Sequence, residues 1–453
     1  MTRFSQVGSK AGQRSEVGRK KEEGVGVGCL GRWICGIMVD PRQIVAGFLT
    51  FSMFAMLAHM IKREHFDSVA QVKLPQSTDD HFKNSKLGEQ TAVSFPMYGP
   101  WSEDGPALKP CWGKPSLDDE AAQSKGFVTF SLTDGPEYHI SQIADAVVVA
   151  NSLGATLVLP DIRGSRLGDR RNFEEVYDAE KFVRTLVGVI KVVKKQPSKI
   201  STKNLAVVKV PNRVTYEHIA ENIKPIFSET GNIRLATYFP SANMKKSKEK
   251  SSVDSLACLA MFGTLELQPE IRDVIDSLVD RLKTLSNSEG RFVAVDLRVD
   301  VLKKKGCQGN TKSKICYNAV EIAEFLRKTG FDKDTVVYLT QSRWDSSLDT
   351  LKEYFPKTYT KEGIMPGESK EKFLNSEAPT LEEVIDFYIC TQSDVFVPAI
   401  SGLFYANVAG KRIAAGKTGI LVPDNIQGSS APAENYISRY ITKKNHLAYS
   451  CFC

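Results

Sequence analysis

The chain has 453 residues, 42% hydrophobic and 25% charged, with a formal net charge of +7. That balance excludes a wholly disordered or fibrous chain, and the length suits two or three domains of roughly 100–200 residues each. The charge is uneven: residues 1–42 carry +4 and the other 411 share +3. The body therefore advertises no basic face for nucleic acid, and no nucleic-acid partner is expected.

Residues 1–37 are rich in glycine and charge and carry no readable chemistry; Met38 is a sensible alternative start. They read as a disordered segment or an extension. Ile44 to Ile61 reads IVAGFLTFSMFAMLAHMI, 18 residues without a formal charge. As a helix at 1.5 Å per residue it spans about 27 Å, enough for a thin bilayer. A buried core helix is the other reading. The excess of Lys and Arg before the run predicts a cytoplasmic N-terminus and a lumenal body. The run ends in His-Met-Ile-Lys-Arg, a poor cleavage site, so an uncleaved anchor is expected. The layout predicted is a tail over 1–42, a transmembrane signal anchor over 43–61, and a polar stem over 62–110. That is a single-pass type II membrane protein.

Seven of the nine cysteines lie beyond the apolar run. A lumenal compartment permits disulfides. Cys307 and Cys316 bracket a short Gly/Lys/Ser loop and are the expected pair, and an odd count leaves at least one thiol over. No Cys or His cluster has zinc spacing, and no acidic pair stands out for Mg²⁺, so no metal is expected. There is no Asn-x-Ser/Thr sequon.

From Lys125 the pattern alternates strand and helix. Gly126–Leu132 (GFVTFSL) reads as one strand ending in the turn Thr133-Asp134-Gly135-Pro136. Ile140–Leu153 reads as a helix closed by Gly154, and Ala155–Leu159 as a buried strand. That βαβ unit implies a parallel sheet. A strand at Asn204–Val210, a helix at Tyr216–Ile223, a strand at Ile233–Tyr238 and a helix at Pro269–Leu285 follow. The second half gives strands at Arg291–Leu297, Thr335–Thr340 and Val395–Pro398. Its helices are expected at Ala319–Lys328, Ser346–Phe355, Thr380–Cys390 and Gly402–Ala409. The fold class predicted is α/β, with two Rossmann-like domains, 111–288 and 289–453, facing a cleft. Ligands in such sheets sit at the carboxyl ends of strands, which directs attention to the loops there.

Three loops hold candidates. Asp296, Arg298 and Asp300 follow a strand; Arg298 can fork onto a diphosphate, or simply close an ion pair with an aspartate. Asp394 can accept from a base or ribose hydroxyl. Ser401 and Gly402 open a helix whose N–H groups can cradle phosphate, unless Ser401 is only the helix cap. Glu137 and His139 can deprotonate an acceptor hydroxyl, or belong to a plain βα loop. Lys411 and Arg412 are a second phosphate contact or a charge pair complementing a helix dipole.

Three blocks resemble the plant O-fucosyltransferase-like family. They are Asp145-Ala146-Val147-Val148-Val149-Ala150 with Ala155-Thr156-Leu157-Val158-Leu159-Pro160; Asp296-Leu297-Arg298 through Gly306-Cys307; and Ser393-Asp394-Val395-Phe396-Val397-Pro398 through Gly410-Lys411-Arg412. A narrower likeness is to the plant mannan synthesis-related group. It rests on Gly135-Pro136-Glu137-Tyr138-His139-Ile140-Ser141, Pro398-Ala399-Ile400-Ser401-Gly402-Leu403-Phe404-Tyr405, and the tail from Lys444 to Cys453. The resemblance implies a GT-B-like fold and a Golgi glycosyltransferase of mannan or glucomannan formation, independent of metal. It implies a nucleotide-sugar donor, GDP-linked, with no other cofactor, a glycan acceptor, and a mannan synthase as partner. By resemblance Arg298 would meet donor phosphate and Asp394 the nucleotide; in a transferase of this kind Glu137 or His139 would be the base, while Arg412 stays a second phosphate contact or a helix-dipole charge. The family's His is Asp296 here, its Gly-Gly-Leu-Asn loop is Asp134-Gly135-Pro136-Glu137-Tyr138-His139, and the Asp before its helical glycine is Ser401. Those departures motivate two alternatives: a non-catalytic accessory partner of a mannan synthase, and a protein O-fucosyltransferase.

Overall fold

The computed structural model describes residues 100–101, 103–113, 124–133, 135–164, 170–195, 197–198, 205–246, 254–305, 307, 316–374, 379–424 and 431–453. The expected anchor at 43–61 and most of the expected stem lie outside these residues. Among the described residues no helix is long and apolar enough to cross a membrane.

The first half supplies β1 (Phe127–Thr129), β2 (Ser131–Thr133), α1 (Pro136–Leu153), β3 (Thr156–Val158), β4 (Asp161–Arg163), β5 (Arg170–Asn172), β6 (Val192–Val193), β7 (Ala206–Pro211) and β8 (Asn232–Tyr238). Helices α2 (Ser255–Gly263) and α3 (Pro269–Leu285) follow. The second half supplies β9 (Phe292–Asp296), α4 (Val299–Lys305), α5 (Ala319–Lys328), β10 (Val336–Leu339), β11 (Thr358–Tyr359), α6 (Pro379–Gln392), β12 (Val395–Pro398) and α7 (Leu403–Ala414).

Two parallel sheets carry the fold, as expected for α/β. One has the order β6-β3-β1-β8-β7 and the other β11-β10-β9-β12. A small third sheet, β2-β4-β5, was not expected. Gly126–Leu132 is not one strand: β1 joins the five-stranded sheet and β2 the small one, with buried Phe130 between them. An unbroken apolar run does not reveal a change of strand partner. In each large sheet the chain works outward on one side of its first strand and then returns on the other. The switch points lie between β1 and β8, and between β9 and β12.

Local chemistry explains several elements. The five residues of β9 are all buried, as a continuous apolar run in a central parallel strand requires. Helix α5 begins with a capping box in which Asn318 and Glu321 each bond the other's backbone. Helix α1 starts at Pro136, four residues earlier than the periodicity suggests, because proline suits the first helical turn. It ends at Gly154 in the left-handed conformation, as predicted. The helix expected over Tyr216–Ile223 continues through a π segment to Thr230, where Gly231 stops it.

Helix α1 packs against α2, α6 and α7, so it ties the halves together. One apolar core runs through both halves, and a second lies against β9, β10 and β12 on the other face. Both chain ends of the body pack back on it. Residues 103–110, expected to end the stem, run along the body: the Leu108 N–H bonds the Ala414 carbonyl at 3.0 Å. Disulfides join Cys111 to Cys453, Cys258 to Cys451, and Cys307 to Cys316; Cys390 is a buried free thiol.

Candidate active site

A cavity of about 360 Å³ opens at the switch point of the second sheet. That volume lies within the range of small-molecule sites. It is lined by Asp296 at the end of β9, Arg298 just after it, and Ile400, Ser401 and Gly402 after β12. The first turn of α1 reaches over it with Glu137 and Tyr138, α6 adds Thr380 and Glu383, and Lys304 and Lys305 of α4 line one side.

Arg298 is the cation at the centre. Its Nε lies 3.1 Å from Asp296 Oδ1, and its guanidinium stacks 4.8 Å from the centroid of Phe404. Burial opposes its charge, yet Asp296, Glu137, Asp386 and Glu383 together hold its pKa above the usual value. Asp296 is fully buried and also accepts from Thr340 Oγ1 at 3.0 Å. From the same helix as Glu383, Asp386 accepts from Tyr338 at 2.7 Å and pairs with buried Lys361. Burial pushes Asp386 up to about 6, with Lys361 opposing.

Glu137 is the most perturbed carboxyl lining the cavity. Burial first, and then Glu383 and Asp296, push its pKa up to about 8 against the pull of Arg298. Its Oε2 is buried without a hydrogen-bond partner among the described residues. A Cβ on Gly135 would sit 2.4 Å from Glu137 Oε2 and 2.9 Å from Glu383 Oε2, so glycine there makes room for two meeting carboxyls. The turn is held from the other half, because Asn407 Nδ2 donates to the Glu137 carbonyl at 3.1 Å. A buried carboxyl of raised pKa lining a cavity is suited to proton transfer near neutral pH.

Gly402, not Ser401, is the cap residue of α7, with φ of +146° that side chains resist. Ser401 lines the cavity, and its carbonyl accepts from Lys305 Nζ at 3.2 Å. The twelve-residue helix α7 thus points its N-terminus at the cavity beside Arg298, a place where anions are favoured.

Five sequence expectations differ from the structure. His139 is fully buried one helical step past the cavity, and its Nδ1 shares a 2.8 Å hydrogen bond with the Tyr177 hydroxyl. It packs in the interior and is not part of the cavity lining. Glu137 and His139 lie in the first turn of α1, not in a loop. Asp300 is on the exposed side of α4, away from the cavity lining. Asp394 precedes β12 and so sits at its amino end, opposite the cavity; its Oδ2 accepts from the Phe292 N–H at 2.9 Å. Arg412 is fully buried and clamps loops. It donates to the carbonyls of Ser393 at 2.6 Å, Asp394 at 2.8 Å, Gly419 at 3.0 Å and Cys390 at 3.1 Å. Burial pulls its pKa down to about 10. Conversely, sequence reading missed Glu383, Lys304, Lys305 and Phe404. Glu383 is one of three acids in α6, and nothing in that segment singles it out.

Comparison with known proteins adds a family assignment. A family model described as GDP-fucose protein O-fucosyltransferase matches residues 140–415. Two Arabidopsis thaliana proteins, Protein MANNAN SYNTHESIS-RELATED 2 and Protein MANNAN SYNTHESIS-RELATED 1, are 57% identical over 422 residues and 58% identical over 421. Each match covers 92% of this chain and 100% of the relative. The crystal structure of POFUT1 in complex with GDP-fucose is similar at 14% identity and a TM-score of 0.43, covering 68% of this chain and 100% of that one.

Proposed function

The chain belongs to the GDP-fucose protein O-fucosyltransferase family, and on that premise we propose that it transfers a sugar from a nucleotide-diphosphate donor to a glycan in mannan synthesis. The observation that carries this reading is the meeting of Glu137 and Arg298 in one cavity at the switch point of the second sheet. Family membership supports glycosyl transfer, and the relatives' names support the mannan context. The two-sheet body is read as a GT-B arrangement, with the donor over the second sheet.

In this mechanism Arg298, the N–H groups opening α7, Lys304 and Lys305 meet the donor diphosphate. Glu137, ionised, takes the proton from an acceptor hydroxyl. The acceptor oxygen attacks the anomeric carbon, and the bond to the diphosphate oxygen breaks with its electron pair leaving on the nucleotide. Arg298 stabilises that departing charge in a water-poor site. Phe404 keeps the guanidinium in place while it does so. GDP is the proposed nucleotide, by family. The proposed placement is a type II protein of the Golgi membrane anchored by residues 43–61, with the body lumenal and a mannan synthase as partner.

A specific observation favours a second reading, a non-catalytic partner of a mannan synthase. Asp296 already neutralises Arg298, and Glu137 and Glu383 add two more acids to the same cavity. Protein O-fucosylation is a third, supported by the family description alone. Full-length protein in detergent, offered a panel of nucleotide sugars with manno-oligosaccharides or a peptide acceptor, separates them. Transfer to the oligosaccharide that is lost in Arg298→Ala supports the first. No turnover of any donor, despite nucleotide binding, establishes the second.

A further inference from the structure

A second cavity among the described residues, about 850 Å³, is larger than the one just described. It opens over the switch point of the first sheet, where β1 ends with Thr129 paired to Arg234 of β8. Ligands of open α/β sheets occupy such crevices. Its floor is largely apolar, with Phe130, Val158 and Phe173, and its walls are cationic. Five cations (Arg163, Arg170, Lys194, Lys195 and Arg234) face two carboxylates, Asp161 and Glu174.

The pairing is lopsided. Lys194 is matched by Glu174 and Glu180. Among the described residues one acid, Asp161, meets three guanidiniums, two directly and Arg234 through Ser131. Arg163 Nε lies 3.1 Å and Arg170 Nε 2.9 Å from Asp161 Oδ2. Arg234 donates to Ser131 Oγ at 2.5 Å, and Ser131 in turn donates to Asp161 Oδ1. Burial works against the Asp161 charge, yet Ser131 and the two arginines hold its pKa below the usual range. Burial and the neighbouring charge of Arg163 weaken the hold of Arg234 on its proton. Like charges gathered around one carboxylate, in a concave site, are relieved by an incoming anion.

We propose that this crevice is a binding site, separate from the active site, for a sugar- to nucleotide-sized ligand bearing an oxyanion, phosphate or carboxylate, held by Arg163, Arg170, Arg234 and Lys195. Planar guanidiniums match both groups bidentately, which is why the two sources share one chemistry. The apolar floor suits a ring that the anion carries. The assignment stands whether or not the second-sheet cavity is catalytic.

Calorimetric titration of the full-length Arg298→Ala protein tests it, because that background weakens anion binding at the other cavity. The probes are inorganic pyrophosphate, glucose 6-phosphate and digalacturonate. Saturable binding of either phosphate probe names phosphate as the group, and of digalacturonate alone names carboxylate. In both cases Arg163→Gln/Arg170→Gln is expected to weaken binding about tenfold or more. Binding should also weaken as salt rises from about 50 to 200 mM. If the double variant does not fold, Lys195→Glu on the exposed rim is expected to weaken the same probe. Absence of saturable binding by all three probes, or binding indifferent to these substitutions and to salt, overturns the proposal.

Discussion

The two switch-point crevices share a topology and differ in how their charge is arranged. Over the first sheet, exposed guanidiniums crowd one aspartate and leave cations in excess among the described residues. Over the second, three cations and three acids balance, and the central pair, Arg298 with Asp296, is buried. Strand order explains where a ligand crevice forms. Burial explains what the crevice can do. Exposed charges attract and hold, whereas buried ones acquire shifted pKa values and can move protons. The contrast is the basis for proposing docking at the first crevice and chemistry at the second.

Four experiments break or sharpen that contrast. The largest effect belongs to Glu137→Gln, expected to lower transfer by about 10²–10⁴-fold as loss of a general base does. Wild-type activity should climb with pH toward about 8 as Glu137 ionises, and the variant's residual rate should be flat there. An unchanged pH profile in the variant would remove Glu137 from the mechanism. Next, Arg298→Ala should cost about 10²–10³-fold in transfer. A loss confined to KM, with kcat intact, would make Arg298 a docking cation like those of the first crevice.

Smaller is Glu383→Gln. Glu383 helps raise Glu137, so its neutralisation should shift the acid limb of the pH–rate profile to lower pH. A shift the other way would contradict the proposed carboxyl pair. Smallest is a stability effect. Ionising Glu137 costs the native state, because its folded pKa, about 8, lies above the ordinary 4.5. That cost is absent below the unfolded value, grows between the two, and is complete above the folded one. Glu137→Gln should therefore melt higher than wild type at pH 9, by roughly 5 °C, with no such gain at pH 4. Equal gains at both pH values would show that packing, not charge, sets the difference.

Much of the fold was legible. Helices α3 and α5 and strand β12 fall where periodicity puts them, because each has a proline, a capping residue or a continuous apolar run at its bounds. The break at Phe130 was not legible, since apolar residues say that a strand is buried and not which sheet it joins. Arg298 and Glu137, expected at strand ends, do line one cavity, because strand ends in α/β proteins are few. Arg412 and Asp394 looked equally chemical in sequence and serve only to bind loops together. Asp394 shows why: it stands beside a strand, but at the end that faces away from the ligands. Glu383 and Phe404 come to Arg298 from other helices, and nothing in their own segments points to it.

The sequence by itself determined the element types, the family and the pool of residues able to do chemistry, because periodicity, caps and motifs act over short stretches of chain. Only the tertiary structure decided which of those residues share a cavity. Ligand crevices form where non-adjacent strands meet, and position against the crevice, not residue type or burial, puts Glu137 in its lining and His139 against Tyr177 in the interior.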